Sequence, residues 1–546
     1  MNRETAMFYR RTGRICRARL TTGFFDVRMS TKKTHFLCAN HCTTLYICGN
    51  KFSRHSQTSF IVCFVCELPG NGSSVFCCVN CKRAEVSSVR LSFFMEYKMV
   101  IIISSLCKTL YYAYICAIRF AMRIFSIAIL LFTIANLAFA QQLSYVGKGY
   151  SKTSVNTAVF RCNSIVSFAD TQFVAYYDSI GFVTVAKRNL HSDEWIVQRT
   201  QYRGNCADAH NVISLGIDAD GYIHLAFDHH NNALRYTRSV APFALQFDTL
   251  MSMIGRDEQS VTYPEFHCSP DGQLFFVYRD GGSGHGNMIL NRYDTATCQW
   301  QRIQSSLLDG EGRRSAYWQM CIDTRGVIHL SWVWRETWMV ETNHDLCYAF
   351  SADGGATWQR SDSTIYELPI TAQNAEIACR IPQNSELINQ TGMSADAGGN
   401  PYIATYWRNS GDSIPQYRLV YRDATGWKSE QISNRQTPFS LSGSGTKMIP
   451  AARPKVVVDD DGTIIYIFRD VERGSRVSAF VNDSSTKNWT IVDLTDFAVD
   501  AWEPSFDVDL WNDKRRLQLF VQQTFQGDGE RSVDAAATPI YILEIL

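Results

Sequence analysis

From residue 141 onward the chain lacks four things. It has no helix-length segment with an apolar period of 3.6, no Pro/Gly/Ser linker, no block of like charge and no regular cysteine spacing. The first absence leaves strands as the repeating element. The second and third give no place to divide residues 141–546, which are therefore read as one domain. The seven cysteines there (Cys162, Cys206, Cys268, Cys298, Cys321, Cys347 and Cys379) are odd in number and irregularly spaced. That excludes a disulfide framework and suits small apolar residues in strand cores. The same segment carries 35 Lys/Arg against 47 Asp/Glu, so the basic footprint of a nucleic-acid surface is missing too. A local basic pocket for an anionic substrate stays open.

Residues 1–121 differ in kind, with 11 of the 18 cysteines, no Trp, and 17 Lys/Arg against 5 Asp/Glu. The net charge of +1 is a cancellation between this basic front and the acidic body. Between them lies MRIFSIAILLFTIANLAFA, residues 122–140, an apolar core after one Arg that ends in Ala138-Phe139-Ala140. This is the layout of a signal peptide starting at Met122, with processing after Ala140. A membrane anchor is the competing reading, since the apolar run from Val100 is long, though broken by Lys108, Arg119 and Arg123. With a signal peptide, residues 1–121 become an upstream extension expected to be disordered. The body is then secreted or periplasmic, without stable membrane insertion. The front also holds Cys63 and Cys66, then Cys77, Cys78 and Cys81, close to the paired C-x2-C spacing of a small zinc ribbon.

What is present is a repeat. Seven turns, at Asp170, Gly221, Gly272, Gly326, Gly399, Gly462 and Asp513, each precede an apolar, aromatic-rich strand such as YIHLAFDHH, QLFFVYRDG or VIHLSWVWRE. They are spaced 51, 51, 54, 73, 63 and 51 residues apart. Strand-only units of that period predict an all-β chain folded as a seven-bladed β-propeller, each blade four strands, with ATPIYILEIL helping to close the ring. Ser351–Trp358 reads SADGGATW and fits the Asp-box pattern S-x-D-G-G-x-T-W, a structural hairpin in blade four.

Polar residues suited to chemistry gather in blades two and three. Asp208-Ala209-His210-Asn211 stands just before a strand. In the strand that begins at His224, alternation sets His230 apart from the apolar face and favours it over His229. The third group runs from Tyr278-Arg279-Asp280 through a glycine-rich loop to His285 and Asn287, and then to Arg292. No helix follows that loop, so it is not a phosphate loop. It brings backbone close to a ligand instead. Cys268 beside His267, with His285 farther on, is a candidate for a structural metal, whose identity the spacing leaves unknown.

The stretches DAHNVIS, GYIHLAFDHHNNALRY, VTYPEF, YRDGGSGHGN, HLSWVWRET and INQTGMSADAGGNPYIATYW are those in which this chain resembles the BNR-repeat family of secreted propellers. Within that family it is similar to seven-bladed ulvan lyases. The resemblance implies a polysaccharide lyase that cleaves an anionic, uronate-containing polymer by β-elimination and needs no cofactor for the chemistry. In those lyases two histidines about 20 residues apart, a Tyr and a following Arg surround the uronate. The matching residues here are His210, His230, Tyr278 and Arg292, with Arg279 as a rival to Arg292. The expectation is then an acid/base pair of His210 and Tyr278, with Arg292 against the carboxylate. His230, Arg279, Asn287 and Trp334 are expected to bind substrate, with Trp332 as a further stacking candidate. Two other readings stand beside it: a glycan-binding propeller without catalysis, and a sialidase suggested by the Asp-box and by Arg380-Ile381-Pro382.

Overall fold

A tight turn between two strands needs a carboxylate to gather its amides and a residue free to take positive φ. In the computed structural model, Asp218 and Asp323 each accept two amides of their own turn, and Asp396 accepts one. Gly221, Gly272, Gly326, Gly399 and Gly462 sit at φ between +78° and +84°. These five hairpin turns join the first and second strands of blades two to six. The structure describes residues 141–545 except Arg161 and Ser444, together with six strands between residues 5 and 82 and the single residue Arg119. The predicted signal peptide, residues 122–140, lies outside the described residues. No described helix is long and apolar enough to cross a membrane.

The chain divides into two units, Met1–Ala135 and Asn136–Leu546. The first contains an antiparallel six-stranded sheet whose strands, numbered along the chain, run in the order 2-1-3-4-5-6. Its last two strands, Ser59–Glu67 and Ser74–Lys82, pair with Cys63 opposite Cys78.

The second unit is the seven-bladed propeller. Blades one, four, five and six are four-stranded antiparallel sheets, beginning with the inner strands Ile165–Phe168, Ser315–Ile322, Gly392–Ala395 and Lys455–Val458. Blade three also has four, from Val261–Cys268 to Gln299–Gln304, plus the short segment His230–Asn232 added to its inner edge. Two blades depart from the expected four strands. Blade two has three (Ile213–Ile217, Ile223–Phe227, Tyr236–Arg238), and isolated bridges at Phe247 and Met251 stand where a fourth would run. In blade seven the inner position is held only by the Phe506–Leu519 bridge, and Asp513 falls within helix α1 (Val508–Lys514) rather than in a turn. Asp507 caps α1 by accepting the Leu510 amide, and Arg515 ends it at φ +51°. Blade seven is completed from both ends of the propeller chain: Thr538–Ile545 pairs with Leu517–Gln522 on one side and Gln141–Gly149 on the other.

Cores form between neighbouring blades. Trp318, Trp332, Trp334 and Trp358 are buried together with Leu290, Leu330 and Ile370 in the largest of these, at the contact of blades three and four. Each fully buried aliphatic chain there contributes about 1.5–3 kcal/mol. Trp358 closes the Ser351–Trp358 hairpin, where Asp353 accepts the Thr357 amide and hydroxyl and Ser351 receives the Gly355 amide. The strand order leaves one face of the ring to the hairpin turns. The opposite face carries the connections between second and third strands and between blades, and we call it the loop face.

Candidate active site

On the loop face, the connection into blade two turns on Asp208, whose Oδ1 accepts both the backbone amide and the Nδ1 of His210 at 2.9 Å. Its Oδ2 meets His230 Nδ1 at 2.5 Å. His230 reaches this point because Asp228 and Asn231 take positive φ, bending the chain before and after it. The two imidazoles stack 4.1 Å apart, and Phe160 stacks against His210 at 5.0 Å. Glu530, from blade seven, places Oε1 3.1 Å from His210 Nδ1. Burial opposes a charge on His210, but the Asp208 and Glu530 carboxylates that accept from its Nδ1 override it and lift the ring's pKa to about 9. His210 is therefore a cation at neutral pH.

Beside the histidines stand two tyrosines. Tyr263 occupies a bulge in the inner strand of blade three, between the Thr262 and Glu265 pairings, at φ +55°. A bulky residue in that region is an outlier, and bulges of this kind re-aim side chains next to sites. Its ring lies 5.9 Å from His210 and 6.1 Å from Tyr317, which comes from the inner strand of blade four. Two buried guanidiniums face Tyr317. Arg335 sits 4.1 Å over the ring and donates from Nη1 to the phenol oxygen at 3.2 Å, while Asn343 and Asn389 accept its other nitrogens. Arg279 lies between the two tyrosine rings and donates from Nε to the Gly281 carbonyl. Among the described residues neither arginine forms an ion pair. Burial would raise the Tyr317 phenol, but Arg335 and Arg279 override it and bring it down to about 8. Tyr263 goes the other way, up to about 12, through burial and the neighbouring Tyr317. Two phenols in one pocket with pKa values driven apart make an acid/base arrangement.

Asp208, His210 and His230 also bring three potential metal-ligand atoms within 4.8 Å of one another. Those atoms already bond to each other, which puts protons where a cation would sit. Cys268 and His267 lie at the turn end of blade three and His285 in its loop-face connection, so that candidate metal set does not converge. The turn-face cavity beside α1 is lined by Cys162, Glu265, His267, Lys455 and Asp509. Burial pushes its Cys162 thiol up to about 12 and, with Asp507, the Asp509 carboxyl up to about 8. It holds neutral thiols rather than an activated nucleophile.

Of the residues named from sequence, His210, His230 and Arg279 meet in the loop-face pocket. Tyr278 does not: its ring is 0% exposed in the core shared by blades two and three, and its hydroxyl donates to the Asp257 carbonyl. Adjacent strand residues face opposite ways, so placing Arg279 in the pocket turns Tyr278 away from it. Arg292 pairs opposite Phe275 near the turn end and donates to Gln301. Asn287 accepts the Gly310 amide at the start of its strand. Trp334 and Trp332 are core residues, 2% and 0% exposed, and offer no face to a sugar. His229 is buried, with Nε2 accepting the Arg235 amide and burial drawing its pKa down to about 3. Arg380 lies on the outer edge of blade four, paired with Asp345, away from the pocket.

Sequence reasoning missed Tyr263, Tyr317, Arg335 and Glu530. A signal for the arginines exists: the second strands of blades three, four and six carry Tyr278-Arg279, Trp334-Arg335 and Phe468-Arg469 at their last residues or one residue before. A repeated Arg at one strand end marks one rim of the ring. No comparable signal marks Glu530, which arrives from 320 residues beyond His210.

Residues 171–435 match the model of the BNR repeat-containing family. The short isoform of ulvan lyase from Alteromonas sp. (strain LOR) is 28% identical over 152 aligned positions, covering 19% of this chain and 29% of that protein. The long isoform from Glaciecola sp. (strain KUL10) is 28% identical over 148, covering 19% of this chain and 15% of that protein. The alignments span less than a third of these relatives. A crystal structure of the polysaccharide lyase Uly1 superposes with a TM-score of 0.53 at 16% identity, covering 70% of this chain and 90% of that one. An ulvan lyase bound to GlcA(1-4)Rha3S gives 0.55 at 14% identity, covering 74% and 96%. At these identities the likeness is one of fold. The seven blades and the match over residues 171–435 agree with each other: this propeller is similar to the BNR repeat-containing family.

Proposed function

We propose that the propeller is a polysaccharide lyase that cleaves a uronate-containing, ulvan-like polymer by β-elimination. The observation that carries this reading is the pair of buried, unpaired guanidiniums, Arg279 and Arg335, beside a phenol of lowered pKa. Two buried cations without a carboxylate call for an anion from outside. A uronate carboxylate held there has its charge drawn off, and the proton at C5 becomes removable. Tyr317, as phenolate, takes that proton. The C5–H electron pair forms the C4–C5 double bond, the C4–O4 bond breaks, and His210 donates its proton to the departing O4. His230 and Tyr263 line the space between.

The relatives named as ulvan lyases, and the structure described as bound to GlcA(1-4)Rha3S, support the substrate class. Export through residues 122–140 belongs to the same proposal, because a polymer of this size is met outside the cell.

The test is incubation of the purified protein with ulvan and with uronate-free polymers, following ultraviolet absorbance from the unsaturated uronate. Absorbance should rise with ulvan only, and Tyr317→Phe should lower the rate roughly 10²–10⁴-fold. Binding of ulvan without any rise in absorbance would instead make the molecule a glycan-binding propeller.

A further inference from the structure

The connection between Leu517–Gln522 and Thr538–Ile545 of blade seven crosses the loop face and folds back on itself, with the Gly527 amide donating to the Arg531 carbonyl. At its tip Gly529 and Glu530 both take positive φ, +70° and +62°. Glycine adopts that region freely and glutamate does not, so something holds Glu530 there. Its carboxylate shows what. Oε2 accepts the Ala209 amide at 3.2 Å, and Oε1 accepts the Thr446 amide at 2.5 Å while lying 3.1 Å from His210 Nδ1. The Gly529 amide donates to the Thr446 carbonyl, and a Cβ on Gly445 would come within 2.9 Å of the Gly529 Cα. Three chain segments, far apart in sequence, thus converge on one carboxylate.

We propose that Glu530 is a positioning residue that fixes His210 as an imidazolium, so that His210 gives a proton to substrate rather than taking one. Nδ1 of His210 stands between two carboxylates, Asp208 and Glu530. Asp208 is shared with His230, so it offers His210 only part of its charge. The other titratable groups facing the ring are Tyr263 from blade three, Tyr317 from blade four and, beyond Phe160, Arg453, itself paired with Glu503. Tyr263 and Arg453 supply no negative charge, and the Tyr317 oxygen meets Arg279, Arg335 and Ser283 rather than Nδ1, which leaves Glu530 as the second anion there. With Nδ1–H committed to the carboxylates, Nε2 is the nitrogen left to protonate a leaving oxygen. This rests on the lyase reading for the proton's destination and on geometry alone for the charge of the ring.

The test is the titration of His210 in the full-length protein by imidazole NMR, assigned with His210→Gln, in wild type, Glu530→Gln and Glu530→Asp. Glu530→Gln should lower the His210 midpoint by about 1 pH unit or more, as expected for loss of one contacting charge. Glu530→Asp should fall between the two. In turnover measurements, the alkaline limb of kcat/KM in Glu530→Gln should move down by the same amount. A His210 midpoint unchanged in folded Glu530→Gln overturns the proposal, and if that variant does not fold, an unchanged midpoint in Glu530→Asp does so. A wild type without lyase activity whose midpoint still falls in Glu530→Gln supports the Glu530 assignment and sinks the lyase reading, so the two failures separate.

Discussion

Arginines line the loop face on both sides of the ring, but the two sides treat them differently. Toward blades five and six, Arg435 donates to both Asp470 oxygens, at 2.5 and 3.2 Å, and Arg453 to both Glu503 oxygens, at 3.1 and 2.9 Å. In blades three and four, Arg279 and Arg335 are as deeply buried and meet only amide, carbonyl and phenol oxygens. Arg435 and Arg453 are neutralised within the chain, and that chemistry is structural, while the buried Arg469 of blade six meets only the carbonyls of Ile449, Pro450 and Trp502. The side of blades three and four leaves both of its arginines without a carboxylate, beside the rings of Tyr263 and Tyr317, which is what an anion-binding site requires.

The sharpest way to break this contrast is Asp470→Ala. It leaves Arg435 buried without its anion and should cost about 3–5 kcal/mol of stability, while the folded fraction keeps its turnover. Denaturant unfolding alongside lyase assays reads both. A variant of wild-type stability would mean that the two sides do not differ. Arg335→Met should do the reverse: turnover falls roughly 10²–10³-fold, as for loss of one preorganised donor. Its melting temperature should move only by a few degrees, and unfolding would put Arg335 with the structural arginines. Tyr278→Phe separates the core tyrosine from Tyr317. It should lose about 0.5–1.5 kcal/mol with the hydrogen bond to Asp257, and turnover should stay at the wild-type level. A collapse of turnover would return Tyr278 to the mechanism.

The smallest effect is pH-dependent. The folded His210 pKa, about 9, lies above its ordinary 6.5. The stability it contributes is complete below pH 6.5 and disappears as pH rises through 9. The melting-temperature gap between wild type and His210→Gln should therefore be widest near pH 6 and close by pH 9.5. A gap that stays constant or widens toward alkaline pH contradicts the charge assigned to His210.

The repeat was legible because blades two to six write their turns in the same chemistry, with a Gly that takes positive φ shortly after an Asp. It failed where other chemistry replaced the turn, as at Asp513, where the Asp507 cap starts a helix. In the site, His210 and His230 were found because they sit in polar segments beside their own strands. Tyr278 stands out in the sequence because it opens the glycine-rich loop, whereas Tyr263 does not, since alternation along an unbroken strand gives it no special place. The bulge at Tyr263 breaks that alternation and swings a residue of the inner strand into the pocket. Arg292 was favoured on distance along the chain, which in a hairpin carries it back toward the turn face. Tyr317 needed knowledge that blade four lies beside blade three with both arginines between them. That is a tertiary fact, written in no local pattern.

Blade seven bears on how the molecule is made. Thr538–Ile545 is the middle strand of that sheet, flanked by Leu517–Gln522 and by Gln141–Gly149. Among the propeller's own strands, the one synthesised last is thus the one that joins its first strand to its last blade. Until then Gln141–Gly149 has no partner and the ring has two open sheet edges, which invite pairing with other chains. Closure spans the whole propeller in sequence and comes late, as non-local pairing does. Losing Thr538–Ile545 would therefore detach two strands rather than trim one, and would leave Glu530 on a connection with nothing to return to.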